Sequence, residues 1–501
     1  MNFTQCDNNN DHNFSASDRD MMAKHKDYSK SSKGESEDVT TVAGANRAAL
    51  HRHGLYNPKG WITHGLTSLM QLPNATPTAV LRWTTPEGPM PHILHLPSRD
   101  HDRHIKIYVW IPPTGLGSFS GTQRPCLIDF HGGGFIMGGP LEQAPWCAAL
   151  ARAGIIAITV HYRLGPTWEF PAALLDAEDV INAVLDAECN TESGKFIRRE
   201  ILRLSNGQTE FDESRIGISG FSSGGNIALN MLLSIPAHLN TSKAGGSILN
   251  EEDQDSTDEG ESDGDWPSPF LNAQSPLRTI PALLFFPSLD ARQAPFDRKR
   301  PEGMAPQGEV SKWIGKTLLN AYLPQEFVSH LRASPGLAPI GLPGGLEEEV
   351  NVRKLAAKQH GLATDSDENA LKPTNTSSST QKRTSAAVKH ATLDCMHLAS
   401  RALLILPKID TLSEQSEVWV EALDAANKLS VSPEKDGSMI GKPLLLKGKQ
   451  DSMGHVRVHR IEKMTHGFTT FPDSFIDEKT RAAKKLVMDQ ALDYVIEMFK
   501  L

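Results

Sequence analysis

The segment that most restricts the fold is Gly220-Phe-Ser-Ser-Gly224, a G-x-S-x-G sequence between two regular elements. Residues 215–219 have the pattern of a strand, and a helix is predicted from about Gly225. A chain that passes so quickly from strand to helix must turn tightly, so small residues are needed on both sides of Ser222. The sequence therefore predicts that the Ser222 hydroxyl is exposed at the tip of a strained turn, at a helix N-terminus that favours negative charge. The alternative is an ordinary Gly-Ser turn.

Strands and helices alternate through most of the chain. Residues 155–160 form a continuous, largely β-branched run, as expected for a strand that is buried on both faces. Further strands are predicted at 104–110, 125–130, 215–219, 282–286, 401–406 and 456–461, and helices at 144–152, 171–185, 226–234, 310–322, 413–426 and 478–500. This alternation predicts an α/β fold with a doubly wound, mostly parallel sheet.

Several segments depart from this alternation. Residues 1–45 are polar and cannot bury enough apolar surface to offset the entropy of ordering, so they are predicted to form a disordered tail. Residues 46–90 have a helical pattern and are predicted to form an N-terminal cap or lid, and residues 91–501 the main domain. Long insertions are predicted within that domain at about 238–278, 342–392 and 428–453. We interpret them as solvated, disordered loops, with regulation or partner binding as the alternative.

One acidic loop accounts for the formal net charge of −9, since nine acidic and no basic residues lie between 251 and 265. The rest of the chain is close to neutral and offers no basic surface for nucleic acid. The five cysteines are scattered and lack CxxC spacing, which argues against both a disulfide framework and a zinc site.

The N-terminal sequence lacks the apolar region of a secretory signal, and no apolar run approaches the roughly 18 residues that span a bilayer. We therefore expect a cytoplasmic protein without an integral membrane segment. Peripheral lipid contact through the cap stays open, as does the oligomeric state.

A second glycine-rich motif, His131-Gly-Gly-Gly134, follows the predicted strand 125–130. Glycines allow backbone N–H groups to come close to a substrate carbonyl, where a tetrahedral oxyanion needs donors. A phosphate-binding loop is the alternative, but such a loop ends in Lys-Ser/Thr, and Phe135-Ile-Met follows here. We predict that the backbone N–H groups of Gly133, Gly134 and Ser223 form an oxyanion hole.

These two motifs together resemble the hormone-sensitive-lipase-like branch of the α/β hydrolases. Further similar stretches are His161-Tyr-Arg-Leu-Gly-Pro166, Phe170-Pro-Ala-Ala-Leu174, Asp176 with Asp179, and Ser334-Pro-Gly-Leu-Ala-Pro339. The resemblance covers roughly residue 106 to the C-terminus, apart from the insertions. It implies a sandwich fold, a helical cap, and cleavage of a small-molecule ester without a metal or an organic cofactor.

The same resemblance points to a base and an acid in the chain order serine, acid, histidine that this fold uses. His466 stands in an H-G-F pattern after the last predicted strand and before the C-terminal helix. Asp410 follows the strand 401–406 and is predicted to orient the imidazole. Glu414 is the rival acid, and an N-terminal helix cap is the alternative role of Asp410.

The predicted reaction is hydrolysis of a carboxylic ester through an acyl-enzyme on Ser222. An amidase, an acyltransferase, and a receptor that binds a small ligand without catalysis are the alternatives. The elbow carries Phe221 where many relatives have an acid, and Ser223 where alanine is common. Phe135, Phe221 and Phe468 are candidates either for the substrate pocket or for the core.

Overall fold

The computed structural model describes residues 58–71, 81, 85–115, 117–239, 264–304, 306, 313, 315, 318, 321–340, 395–426 and 456–501. The predicted tail and the insertions 342–392 and 428–453 lie outside the described residues. So do residues 240–263 of the first insertion and most of the predicted helix 310–322. Of the predicted cap, residues 58–71, 81 and 85–90 are described.

An eight-stranded sheet forms the centre of the described part. Its strands are β1 His92–Pro97, β2 His104–Trp110, β3 Gln123–Phe130, β4 Ile156–His161, β5 Glu210–Phe221, β6 Ile280–Phe285, β7 Ser400–Ile409 and β8 Val456–Thr465. Their order across the sheet is β1-β2-β4-β3-β5-β6-β7-β8. β2 pairs antiparallel with β1 and with β4, and all other neighbours are parallel. The prediction of a mostly parallel, doubly wound sheet is confirmed.

Helices cover both faces of the sheet, because the inner strands are apolar on both sides. The helices are α1 Pro58–Gln71, α2 Ala144–Arg152, α3 Ala172–Leu185, α4 Glu192–Leu204, α5 Ser223–Met231, α6 Ser413–Ala425 and α7 Glu478–Lys500. Ile128 belongs to a cluster with α3 and α5, whereas Leu127 belongs to one with α2 and α7. Adjacent residues of β3 thus point to opposite faces, as the period of two requires.

β1 and α4 were not predicted from the sequence. β1 is a short edge strand in which Leu94 and Leu96 are the buried residues. α4 lies in a stretch that is polar overall, and its buried side consists mainly of Ile197 and Ile201. A helix with so narrow an apolar stripe resembles a loop in sequence, although Thr191 caps it by accepting a hydrogen bond from the Gly194 N–H at 3.0 Å.

The C-terminal part of the predicted insertion 238–278 packs against the body. Phe270 is buried, and Trp266 and Ile235 exchange two backbone hydrogen bonds. The guanidinium of buried Arg332 lies 4.5 Å from the Trp266 ring centroid and donates to the Trp266 carbonyl at 2.6 Å. Residues 264–278 are therefore part of the folded body, because Trp266 and Phe270 pack against it.

The topology brings the predicted site residues to one edge of the sheet. His131 directly follows β3, Ser222 directly follows β5, Asp410 directly follows β7 and His466 directly follows β8. These four strands are parallel, so their carboxyl ends meet at the same edge, where open α/β sheets bind their ligands.

Candidate active site

Ser222 sits in a strained turn between β5 and α5. Its backbone has φ 55° and ψ −113°, a conformation that non-glycine residues seldom adopt. Its N–H donates to the Phe285 carbonyl at 2.9 Å, which ties the turn to β6. A Cβ atom on Gly220 would lie 2.0 Å from the Gly224 carbonyl oxygen, so only glycine fits before the turn. The predicted tight strand–turn–helix geometry is present.

His466 and Asp410 form a hydrogen-bonded chain with Ser222. The His466 Nε2 lies 3.1 Å from the Ser222 Oγ, and its Nδ1 lies 2.7 Å from an Asp410 carboxylate oxygen. A carboxylate only accepts, so the Nδ1 carries the proton and the Nε2 lone pair faces the hydroxyl. These groups are 188 and 56 residues apart along the chain, and the fold brings all three together.

The Asp410 carboxylate is held in place by the backbone that follows it. It is 2% exposed, and its second carboxylate oxygen accepts from the Leu412 N–H at 2.9 Å. Glu414, the rival acid, is exposed in the first turn of α6. The structure therefore brings Asp410, and not Glu414, into contact with His466.

The glycine loop after β3 lies against the elbow. A Cβ atom on Gly132 would lie 3.1 Å from the Phe221 carbonyl oxygen and 3.5 Å from the Ser222 Cβ. Gly133 and Gly134 have φ of 116° and 63°, which favour glycine. Among the described residues, the backbone N–H groups of Gly133, Gly134 and Ser223 have no hydrogen-bond acceptor. They are therefore available to a ligand.

The side chain of His131 supports this loop. Its ring stacks on Tyr162 with centroids 4.2 Å apart, and its Nδ1 lies 2.7 Å from the Gly132 carbonyl oxygen. The Tyr162 hydroxyl donates to the His131 carbonyl at 2.7 Å. Burial lowers the pKa of His131 to about 3, so the ring is neutral and supports the loop through packing and one hydrogen bond.

The stretch after β4 is held by a buried ionic cluster. The Asp176 carboxylate accepts from the Arg163 backbone N–H at 2.9 Å and also pairs with the guanidinium groups of Arg163 and Arg103. Burial raises the pKa of Asp176, and the two arginines oppose that shift. Asp176 thus anchors the segment that follows β4.

The three candidate phenylalanines have different environments. Phe221 and Phe468 are each 1% exposed and belong to the core cluster of α2 and α7. Phe135 is partly buried and stacks on Tyr322 with centroids 4.5 Å apart. Phe221 also borders a cavity of about 580 Å³ that Trp146 and Thr469 help to line.

Sequence reasoning missed two polar side chains near the site, Asn226 and Gln71. The Asn226 amide donates to the carbonyls of Ser288 and Ala333, at 2.8 and 3.0 Å, and thereby fixes α5 to two loops. Gln71 contacts the segment after the glycine loop. Both amides bond to backbone carbonyls, which leave no recognisable pattern in the sequence.

Within the described ranges, no three His, Cys, Asp or Glu side chains come close enough together to hold a metal ion. No helix in the same part of the chain is both long and apolar enough to cross a membrane.

The central part of this chain is similar to known proteins. Residues 127–346 match a family model described as the alpha/beta hydrolase fold. The chain is 32% identical to 3-O-acetylpapaveroxine carboxylesterase CXE1 of Papaver somniferum over 157 residues, which are 30% of this chain and 47% of that protein. It is 38% identical to ethyl acetate hydrolase of Pseudomonas putida over 88 residues, 17% of this chain and 26% of that protein.

A solved esterase of the archaeon Pyrobaculum calidifontis gives a TM-score of 0.46 at 17% identity and covers 87% of this chain and 94% of that one. The chain spans about half the length, or less, of the curated relatives it matches. The described part of the chain has the α/β hydrolase fold, and the match of residues 127–346 supports its resemblance to the hormone-sensitive-lipase-like branch.

Proposed function

We propose that this protein is a serine hydrolase that cleaves carboxylic esters through an acyl-enzyme on Ser222. The observation that carries the proposal is the hydrogen-bonded chain from Asp410 through His466 to the Ser222 hydroxyl, with separations of 2.7 and 3.1 Å. Nucleophile, base and orienting acid within hydrogen-bond reach are the signature of an activated serine.

The proposed reaction begins when the Ser222 oxygen attacks the ester carbon and the His466 Nε2 takes the hydroxyl proton. The carbonyl oxygen becomes an oxyanion, to which the N–H groups of Gly133, Gly134 and Ser223 donate. The buried Asp410 carboxylate stabilises the imidazolium that forms. His466 then gives its proton to the alkoxide, and the alcohol leaves while the acyl group stays on Ser222.

Deacylation repeats these steps with water. His466 removes a proton from water, the hydroxide attacks the acyl carbon, and a second oxyanion forms in the same position. When that intermediate collapses, the Ser222 oxygen leaves and recovers its proton from His466. The products are the free acid and the unchanged enzyme, so one water is consumed for each ester cleaved.

The choice of an ester is supported by the relatives' names. CXE1 is named as a carboxylesterase and the Pseudomonas protein as an ethyl acetate hydrolase. Acyl transfer to an amine or an alcohol would use the same three residues, so the acceptor of the acyl group distinguishes the alternatives.

The test is hydrolysis of the p-nitrophenyl esters of acetate, butyrate, octanoate and dodecanoate, with a Ser222→Ala control at equal concentration. We expect turnover by the parent that is lost in the control, and the chain-length profile identifies the acyl class. A folded parent that hydrolyses none of these esters above the control would contradict the proposal. Adding an alcohol or amine and measuring the ester or amide product tests acyl transfer.

A further inference from the structure

Helix α1, in the predicted cap, contacts the segment after the glycine loop and the segment after β4 through its last residue. The Gln71 Nε2 lies 2.6 Å from the Ile136 carbonyl oxygen and 3.3 Å from the Gly165 carbonyl oxygen. A carboxamide nitrogen carries two hydrogens, so one side chain can donate to both carbonyls. These acceptors lie 65 and 94 residues further along the chain and belong to two different loops.

The two loops are already joined by their backbones. The Gly165 N–H donates to the Phe135 carbonyl at 2.9 Å. Gln71 adds a donor to the next carbonyl, that of Ile136, and bridges it to Gly165. The three segments therefore meet at a single carboxamide.

This junction leads directly to the proposed oxyanion hole. The N–H groups of Ile136 and Met137 donate to the Gly133 carbonyl at 3.2 and 3.0 Å. Ile136 therefore contacts Gly133 through its N–H and Gln71 through its carbonyl. A Cβ atom on Gly133 would lie 2.0 Å from the Met137 carbonyl oxygen, so the turn from 133 to 137 is closely folded. A displacement of Ile136 would therefore move the Gly133 carbonyl, which belongs to the same peptide group as the Gly134 N–H.

The side of α1 that carries Gln71 faces the protein. Thr63 and Thr67 precede it at intervals of four residues, the spacing of one helix face, and they are 8% and 2% exposed. Leu69, on another side of the helix, is 64% exposed. Gln71 is thus at the end of the buried stripe of α1.

We propose that Gln71 is a positioning residue that couples the cap helix to the oxyanion hole. By holding the Ile136 and Gly165 carbonyls together, it keeps the peptide N–H groups of Gly133 and Gly134 in one arrangement before substrate binds. Its catalytic consequence rests on the proposed ester hydrolysis, whereas its effect on the loop does not.

The test compares Gln71→Leu, Gln71→Glu and the control Leu69→Ala with the parent. Leucine keeps much of the volume and removes both donors. A glutamate at neutral pH has the same length but offers only acceptors to two carbonyl oxygens. Leu69 lies on the same helix with an exposed side chain, so its truncation changes α1 without touching the loops.

Hydrogen exchange of the peptide that covers residues 131–139 is measured in all four proteins. We expect faster exchange in both Gln71 variants and parent-like exchange in Leu69→Ala. With p-nitrophenyl acetate, kcat should fall about tenfold to a hundredfold with KM little changed, because a small misplacement of the donors affects the transition state most.

Parent-like exchange of residues 131–139 in both Gln71 variants overturns the inference, whatever their activity. Faster exchange with an equal effect of Leu69→Ala also overturns it, since the loop would then respond to any disturbance of α1. If the parent hydrolyses no ester, the proposed function fails, but the exchange comparison still decides whether Gln71 holds the loop.

Discussion

Gly224 is pressed against the end of a neighbouring strand, since a Cβ atom there would lie 2.0 Å from the carbonyl oxygen of Phe130. Helix α5 therefore starts in direct contact with the residue that precedes the glycine loop. The turn at Ser222 and the proposed oxyanion loop are fitted to each other through backbone atoms, and a side chain at this position would separate them.

Gly224→Ala should consequently destabilise the fold and displace the elbow. Because the nearest atoms are backbone and cannot rotate away, we expect a loss of about 3 kcal/mol in the free energy of unfolding. The measurement is urea denaturation against the control Gly65→Ala. Gly65 lies in α1, where a Cβ atom would meet nothing within 4 Å, and alanine there should stabilise by up to about 1 kcal/mol. Equal effects of the two substitutions would disprove the close fit.

Asp410→Asn, compared with Glu414→Gln, should show which carboxylate orients His466. An asparagine cannot stabilise the imidazolium and can hold the wrong tautomer of His466, so kcat should fall by about 10⁴. Glu414→Gln changes an exposed carboxylate of α6, so the activation barrier should change little and kcat should stay within about twofold. Steady-state kinetics on one ester decides the matter. A large loss in Glu414→Gln with a small loss in Asp410→Asn would reverse the assignment.

Asp129, buried beneath the glycine loop, should make stability depend on pH. Its carboxyl accepts from the Ser219 hydroxyl, whose oxygen in turn accepts from the Trp146 Nε1–H at 3.2 Å. Burial raises the pKa of Asp129 from 3.8 to about 7. Since the folded pKa is above the unfolded one, the stability of the parent falls as pH rises between these two values.

Asp129→Asn removes the group that ionises and should remove this contribution. The stability of Asp129→Asn minus that of the parent should therefore increase with pH. Above the folded pKa, this difference should exceed its value below the unfolded pKa by up to about 4 kcal/mol. Chemical denaturation of both proteins across that range measures the change. A stability difference between them that is independent of pH would show that Asp129 ionises at its ordinary pKa.

Phe221→Ala should strongly lower the free energy of unfolding, because Phe221 is part of the core as well as a neighbour of Ser222. The ring is 1% exposed and stacks on Phe285 with centroids 4.2 Å apart and planes at 7°. Loss of a buried phenylalanine ring costs about 3–5 kcal/mol. Thermal unfolding of the single variants and of the Phe221→Ala/Phe285→Ala pair should give a coupling of about 1 kcal/mol. Strictly additive effects would contradict the stacking.

The elbow and the glycine loop were predictable because their signals are local. A strand, a tight turn and a helix must follow each other within a few residues, so Ser222 and the segment His131–Gly134 can be recognised without distant contacts. His466 was predicted from its chain order and its neighbours. The mostly parallel sheet followed from the apolar inner strands.

Other features depend on three-dimensional contacts that the sequence does not carry. Asp410 and Glu414 follow the same strand, Asp410 directly after it and Glu414 in the first turn of α6, and only the direction of the chain there decides which of them contacts His466. Gln71 bonds to carbonyl groups, which every residue has, so nothing in the sequence marks it. Trp266 and Phe270 fold back onto the body although an acidic run precedes them.

The most direct test of the central claim is labelling with a fluorophosphonate, which forms a covalent bond with an activated serine oxygen. Intact-mass analysis of the parent should show one adduct, peptide mapping should assign it to Ser222, and Ser222→Ala should remain unlabelled. An unlabelled, folded parent, or an adduct on another residue that persists in Ser222→Ala, would contradict the account of Ser222 as the nucleophile.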